Sequence, residues 1–444
     1  MACDEPYWAG RRVAVTTLGC KVNQYESFAL MEILRRKGCL FVPFQEEADL
    51  YVINTCTVTA RSDYQSRQLI RRAYRRNPAA VIVVTGCYAQ AAPSEIEAMH
   101  EVALVVGNND KMIIPACIEG IHEGRRVRVS HLDHSSEFAF SPVDDFPGHT
   151  RAFLKIQDGC NAWCSYCVVP HVRGRSRSLS QEQVLKEVRR LGQRGYREIV
   201  LTGIHLGTYG ADLTPATCLF DLLKAIDEES SGVRIRLSSL EPAEVTDDLI
   251  SFAAGSRCLC PHFHIPLQSG DDKILAAMGR TYTADVFRNL VNRIHEGIPH
   301  AALGIDVLTG FPGESEQSAQ RTFHLIESLP VTHLHVFPYS KRSGTPAAAM
   351  AHQVEEKTKK ARAERLRNLG GQKKSAFARL QVGTDMMVLI EGNDVGEGEM
   401  KGLTDNYLTV FLGSPDPLLV NKLVSVSMTE EEKGCLRGII KDVL

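Results

Sequence analysis

At 444 residues, with 44% apolar and 23% charged residues and a formal net charge of −2, the chain has the composition of an ordinary globular protein of about three domains. Thirteen cysteines are too few for a disulfide scaffold at this length, and their odd number argues against full pairing; they point to a reducing compartment in which thiols serve metals. The start MACDEPYW lacks the basic-then-apolar pattern of a secretory leader, and the longest uncharged run, 77–93, is broken by Thr85, Gly86 and Gln90, so the sequence predicts a cytoplasmic protein with no membrane segment.

Residues 11–122 read as alternating strands and helices. Short apolar or β-branched runs at Val13–Leu18, Leu50–Asn54, Val81–Thr85 and Ala103–Val106 predict strands, and the pattern over Tyr25–Lys37, closing on basic residues and Gly38, predicts a helix. The expectation is a small doubly wound α/β domain. Cys20, Cys56 and Cys87 occupy equivalent places in it, ending VAVTTLGC, LYVINTC and VIVVTGC. In a parallel sheet the carboxyl ends of the strands share one edge, where ligands bind, so these three thiols are expected to converge. The segment Arg61–Arg76 carries six arginines with Tyr64 and Tyr74; a solvated helix face is the plain reading, and contact with an RNA backbone the functional one.

A poorly patterned connector, 121–150, ends in DDFPGHT and marks a domain boundary. A second series of βα units fills 146–375: AFLKIQ, a cysteine loop, a helix over Gln181–Gln193, and strands at EIVLT, Arg234–Leu237, His262–Ile265, Leu303–Leu308 and His333–Phe337. Six such units predict an open, partial (β/α)6 barrel whose lateral mouth admits a macromolecular substrate. The loop holds Cys160, Cys164 and Cys167 in a C-x3-C-x2-C cluster. Three thiolates on a 4Fe-4S cube leave one iron open. A closed zinc site would want a fourth ligand, and the nearest, His171, lies beyond Pro170.

Lys357–Arg379 holds nine Lys or Arg against one acid, Glu364, so the neutral total does not exclude nucleic acid. Beyond it, Met386–Glu391, Tyr407–Leu412 and Leu418–Met428 predict a small antiparallel β-barrel over 376–444. Its eleven acids leave its own charge ambiguous between RNA and a basic protein partner, and the helix before it leans toward RNA. Cys3, Cys39, Cys117, Cys218, Cys258, Cys260 and Cys435 lack strand-end placement or ligand spacing, and His333 and His335 read as packed barrel residues.

With those residues in view, the chain resembles the radical S-adenosylmethionine (SAM) methylthiotransferases over nearly its whole length. TLGCKVNQYES, NTCTVT and TGCYAQ are similar to the three cysteine motifs of that family's N-terminal domain, QDGCNAWCSYCVVPHVRGRSRS to its SAM-cluster loop, and 376–444 to its RNA-binding TRAM barrel. GCKVNQ, NTCTVT and RGRSRS look most like the branch acting on threonylcarbamoyladenosine in tRNA. Substrates of other branches, an isopentenyladenosine in tRNA or an aspartate of a ribosomal protein, remain alternatives, as does a non-catalytic iron-sulfur RNA-binding protein. The C-terminus KGCLRGIIKDVL lacks the apolar tail of membrane-anchored relatives.

The resemblance implies two 4Fe-4S clusters, one on Cys160, Cys164 and Cys167 that cleaves SAM, the other on Cys20, Cys56 and Cys87 that carries the sulfur to be transferred. It implies SAM contacts from Gly203 and His205 in TGIHLGTYG, Ser239 and Glu241 in RLSSLEP, Gln268 in HIPLQSGDD and Asp306 in IDVLTGFPGE. It further implies tRNA as substrate, an electron donor such as flavodoxin or ferredoxin, and a sulfur donor that the sequence does not name. A threonylcarbamoyl group ends in a carboxylate, which a guanidinium fork binds bidentately, so Arg173, Arg175 and Arg177 of HVRGRSRS are the expected substrate residues, Arg175 and Arg177 first, with simple contact to tRNA phosphates as the alternative reading.

Overall fold

The computed structural model describes residues 8–120, 127–132, 138–229, 232–395, 398–413 and 416–443. Cys3 and the 121–122 end of the first expected domain lie outside them. The chain forms two compact units, the first made of residues 1–145, 157–179 and 340–348, the second of 146–156, 180–339 and 349–444.

In the first unit, strands β1 (Arg12–Thr17), β2 (Leu40–Phe41), β3 (Leu50–Thr55), β4 (Val81–Gly86), β5 (Leu104–Val106) and β6 (Val127–Arg128) build a wholly parallel sheet in the order β2-β1-β3-β4-β5-β6. Every residue of β3 is buried, which is why LYVINT reads as a continuous run and not as an alternating one. Leu50 and Val52 pack with Leu30 and Leu34, while Tyr51 and Ile53 pack with Ile70 and Ala73. Each such apolar side chain contributes about 1.5–3 kcal/mol on burial.

The first helix runs Lys21–Arg36, starting four residues before the expected Tyr25 because Cys20 itself is its N-cap. Apolar periodicity does not reveal this first turn, whose Asn23 is buried and polar. After β7 (Ala152–Lys155) of the second unit, the short strands β8 (Gln157–Asp158) and β9 (Arg177–Ser178) pair antiparallel in the first. They close the base of the cysteine loop.

In the second unit, β7 joins β10 (Glu198–Thr202) and β11 (Arg234–Leu237) in one parallel sheet, and β12 (His262–His264), β13 (Ala302–Thr309) and β14 (His333–Pro338) form another. Ile235 links them: its N–H donates to Cys258 O at 2.8 Å and its carbonyl accepts from Cys260 N–H at 2.8 Å. Cys258 and Cys260 thus sit where the two sheets meet.

The C-terminal strands β15 (Asp385–Val395), β16 (Glu399–Thr404), β17 (Thr409–Leu412), β18 (Leu423–Glu432) and β19 (Cys435–Val443) close a barrel in the order β15-β16-β17-β19-β18. Its pairs are antiparallel except β17 with β19, which run parallel. Glycines keep its interior tight: a Cβ at Gly402 would meet Val388 at 2.3 Å, and one at Gly438 would meet Val426 at 2.3 Å.

A buried charge cluster ties this barrel to the sheet. Glu198 accepts from Arg236 Nε at 2.6 Å and Arg234 Nη2 at 2.6 Å, and Arg236 also donates to the carbonyls of Asp405 at 2.8 Å and Thr404 at 3.2 Å. Burial alone would raise the Glu198 carboxyl, but Arg236, Arg234 and Arg151 outweigh it and hold it at about 2. A depressed carboxyl contributes stability above its unfolded value of 4.5 and loses it as pH falls toward about 2. Glu198→Gln is therefore expected to cost about 3–5 kcal/mol near neutral pH and to flatten the acid limb between those values. Thermal melts of both proteins from pH 7 downward check this, and equal melting temperatures at pH 7 would refute it.

The basic helix runs Glu356–Arg379. Five of its nine cations serve the fold. Lys359 is buried, Arg362 pairs with Glu314 at 3.0 Å, Arg367 donates to Val336 O at 3.2 Å, Lys373 to Leu329 O at 2.7 Å, and Arg379 pairs with Glu431 at 3.2 Å. Spacing along the chain counts charge without showing which charges are already matched. Among the described residues, no helix is both long and apolar enough to cross a membrane.

Candidate iron-sulfur and cofactor site

Cys20, Cys56 and Cys87 follow the carboxyl ends of β1, β3 and β4, three adjacent parallel strands in register at Thr17 with Asn54 and Thr55 with Gly86. The three thiols lie within electrostatic reach of one another. Glycine makes this approach possible. Gly19 has φ +101°, and a Cβ there would stand 2.9 Å from Cys56 Cβ; Gly86 has φ +97°, and a Cβ there would stand 2.4 Å from Thr55 O.

Polar side chains hold the strand ends. Asn23 Nδ2 donates to Leu18 O at 2.8 Å and Thr55 O at 3.0 Å, fastening the loops before Cys20 and Cys56. Thr57, next to Cys56, donates to Asp63 at 2.7 Å and accepts from Arg342 Nη2 at 2.6 Å, while Arg342 pairs with Asp63 at 2.6 Å. Burial pushes the Cys56 thiol up to about 11. A buried thiol that is hard to ionise in water-free surroundings gains most from a metal that takes its proton's place.

The second trio lies in a loop of the same unit. Gly159, φ +76°, lets the chain double back so that Cys160 N–H donates to Gly174 O at 3.0 Å; a Cβ at Gly159 would stand 1.9 Å from Arg175 O. Backbone N–H groups point at two of the sulfurs, Ala162 N–H to Cys160 Sγ at 3.3 Å and Val169 N–H to Cys167 Sγ at 3.4 Å. His171 packs its ring against Trp163, 5.2 Å between centroids. Cys87 packs against Val168 and Val172, directly after this loop, and Asn108 Nδ2 reaches both Cys87 Sγ at 3.8 Å and Val172 O at 2.7 Å.

Arg173 corrects the sequence reading. It was expected to face the substrate, yet its side chain is only 1% exposed and bound on every side: to Glu26 at 2.5 Å, to both Asp158 oxygens at 3.3 Å, and to Asn23 Oδ1. Lys111, equally buried, pairs with the same Glu26. Burial opposes the Arg173 charge, and Glu26, Cys87, Asp158 and Cys20 more than restore it. Arg177 is partly committed as well, donating to Arg173 O at 3.0 Å. Arg175 is exposed.

No spacing rule connects Glu26 or Lys111 to the cysteines. The polar segments that hold them, GCKVNQYES and GNNDK, read as surface, and only the fold buries these two charges.

The expected SAM contacts lie in the second unit, Asp306 within β13 and the others in segments that follow strands. Gly203 follows β10, and His205 Nε2 is 2.6 Å from Glu244 Oε1. Glu244 also caps the turn at Glu241, accepting from its N–H at 2.8 Å, and a Cβ at Gly207 would lie 1.9 Å from it. Ser239 is exposed, while Ser238 Oγ is buried with no hydrogen-bond partner among the described residues, a fit for a ligand hydroxyl or amine. Glu241, expected to contact SAM, has its carboxylate paired with Arg280. Gln268 has φ +63° and spans the strand end, its N–H donating to Asp306 O at 2.9 Å and its carbonyl accepting from Leu308 N–H at 2.9 Å. Asp306 is likewise not free: its carboxylate accepts from His264 Nε2 at 2.9 Å and stands 3.4 Å from His335 Nδ1.

Family models match the chain in two places, an uncharacterised protein family, UPF0004, over residues 12–107 and the radical SAM superfamily over 154–326. A structure of the radical S-adenosylmethionine methyltransferase TsrM from Kitasatospora setae, with cobalamin and a 4Fe-4S cluster bound, superposes at a TM-score of 0.56 and 16% identity, covering 76% of this chain and 77% of that one. A parallel α/β scaffold carrying a C-x3-C-x2-C loop defines an enzyme of the radical SAM class. Two relatives refine this. The threonylcarbamoyladenosine tRNA methylthiotransferase MtaB of Bacillus subtilis is 42% identical over 94% of this chain and 93% of its own length. The tRNA-2-methylthio-N(6)-dimethylallyladenosine synthase of Carboxydothermus hydrogenoformans is 35% identical over 96% and 98%. The chain belongs to the radical-SAM methylthiotransferase family. Its cofactors are SAM and 4Fe-4S clusters, two of them in this family, and the two trios of thiols fit that donor requirement.

Proposed function

We propose that this protein inserts a methylthio group at carbon 2 of N6-threonylcarbamoyladenosine next to the anticodon of tRNA, in the cytoplasm, drawing electrons from a small carrier such as flavodoxin or ferredoxin. The observation that carries the substrate is 42% identity, over 94% of the chain, to a relative named for that nucleoside. The working domain limits are 11–122, 146–375 and 376–444.

Cys160, Cys164 and Cys167 are assigned to the cluster that binds SAM, and Cys20, Cys56 and Cys87 to the auxiliary cluster. When bound, these groups supply reductive SAM cleavage and the sulfur for transfer. The chain's own residues supply binding, orientation and charge. Amide N–H groups of Ala162 and Val169 donate to the sulfurs of Cys160 and Cys167, and the buried Arg173 keeps a positive charge beside Cys20 and Cys87. Gly203, Ser238, Ser239 and Gln268 are the groups left to grip SAM, whereas Glu241 and Asp306 orient Arg280 and two histidines.

Arg175 is assigned to the threonylcarbamoyl carboxylate, since Arg173 is buried. A charge-assisted hydrogen bond contributes about 1.5–3 kcal/mol, so Arg175→Met is expected to slow turnover about ten- to hundredfold. Binding of tRNA with an unmodified adenosine should change little. Mass spectrometry of digested tRNA from cells lacking the protein should show loss of the 2-methylthio form of threonylcarbamoyladenosine alone; loss of the isopentenyl counterpart instead would move the enzyme to the other branch.

A further inference from the structure

One face of the β12-β13-β14 sheet gathers three imidazoles around one carboxylate. His264 lies at the end of β12, Asp306 on β13, and His333 and His335 on β14, and the ladders align His264 with Gly304, Gly304 with His333, and Asp306 with His335. All four side chains therefore project from one face. Asp306 Oδ1 is 2.9 Å from His264 Nε2 and 3.4 Å from His335 Nδ1, and the ligand atoms of the three residues all lie within 4.8 Å of one another. The absence of a side chain at 304 is what admits the rings, since a Cβ there would stand 2.1 Å from His333 Nε2 and 2.7 Å from His264 Nδ1.

Two properties set this cluster apart from an ordinary ion pair. The first is composition: two imidazoles and one carboxylate on adjacent strands form a facial set that suits Mn2+, Fe2+, Co2+ or Zn2+, and no thiol belongs to it. The second is an orphan. His333 Nε2 is buried without a hydrogen-bond partner among the described residues, although its Nδ1 lies 3.0 Å from Thr332 Oγ1. A buried unmatched nitrogen is costly and calls for an ion or water. Access exists as well, because His333 and His335 line a cavity of about 360 Å³, and the His335 side chain is 54% exposed.

We propose that His264, Asp306 and His335 bind one divalent transition-metal ion, separate from the iron-sulfur clusters, whose water shell gives His333 Nε2 its partner and whose remaining positions take oxygen donors. The proposal does not rest on the methylthiotransferase reading. Mn2+ is the probe, since it avoids thiolates and its EPR signal disappears on binding while oxidised 4Fe-4S clusters stay silent. Titrating the fully reconstituted protein is expected to remove one Mn2+ per chain from the free signal. Asp306→Asn and His335→Ala should each weaken binding about tenfold or more, with cluster absorbance and melting temperature close to wild type for the surface-accessible His335→Ala. No bound Mn2+ below about 1 mM, a concentration that corresponds to only about 4 kcal/mol of binding, would overturn the site. So would binding that survives both substitutions.

Discussion

A variant with Cys160, Cys164 and Cys167 all changed to alanine is expected to release no 5′-deoxyadenosine from SAM and to hold about four irons per chain in place of about eight, by arithmetic from two four-iron cubes. The companion variant at Cys20, Cys56 and Cys87 should also hold about four irons yet still release 5′-deoxyadenosine, with no methylthio group on tRNA. The two trios fold in the same unit, but each is built separately, one on three strand ends and the other on a single loop closed by β8 and β9. Loss of one should therefore leave the other's ligands in place. Cys258→Ala is the control, because Cys258 flanks the backbone bridge at Ile235 and lies in neither trio. Equal iron in wild type and Cys56→Ala would sink the second cluster, and methylthiolated tRNA from the companion variant would sink its donor role.

Replacing Arg173 with Met is expected to destabilise the first unit by about 3–5 kcal/mol, because it strips one partner from a buried charge network. Arg173 and Lys111 balance Glu26 and Asp158 there, so the substitution leaves one buried carboxylate without compensation. Arg173→Lys keeps the charge but not the fork that reaches Glu26, Asp158 and Asn23 together, and should fall between the two. Melting and iron content together discriminate. If Arg173 served substrate recognition instead, Arg173→Met would melt like wild type, hold about eight irons and lose only turnover.

The β3 run LYVINT, the helix Gln181–Gln193 and the strands at 198–202 and 234–237 stand in the structure where the pattern along the chain put them. Local sequence suffices for such elements because burial on both faces, or on one helical stripe, writes itself into apolar spacing. Strands such as β16 and β19 escaped that reading. Their segments EMKGLT and CLRGIIKDV mix charge and glycine, and they become strands only because partners across a closed barrel supply the hydrogen bonds.

The sites divide along the same line. Sequence by itself determined which cysteines group together, since strand-end glycines and the C-x3-C-x2-C spacing are covalent facts, and the rule that parallel strands share one edge does the rest. Tertiary structure alone decided the state of the charged groups. Arg173, Arg175 and Arg177 alternate identically in RGRSR, yet one is locked to Glu26 from a helix 147 residues away and another lies exposed. Asp306 reads by resemblance as a SAM contact in IDVLTGFPGE, and only the register of β12, β13 and β14 sets it among three histidines. Ion pairs and ligand sets form between residues distant in sequence, where spacing along the chain carries no information. The strength of a charge depends on its burial and partners, which folding alone creates.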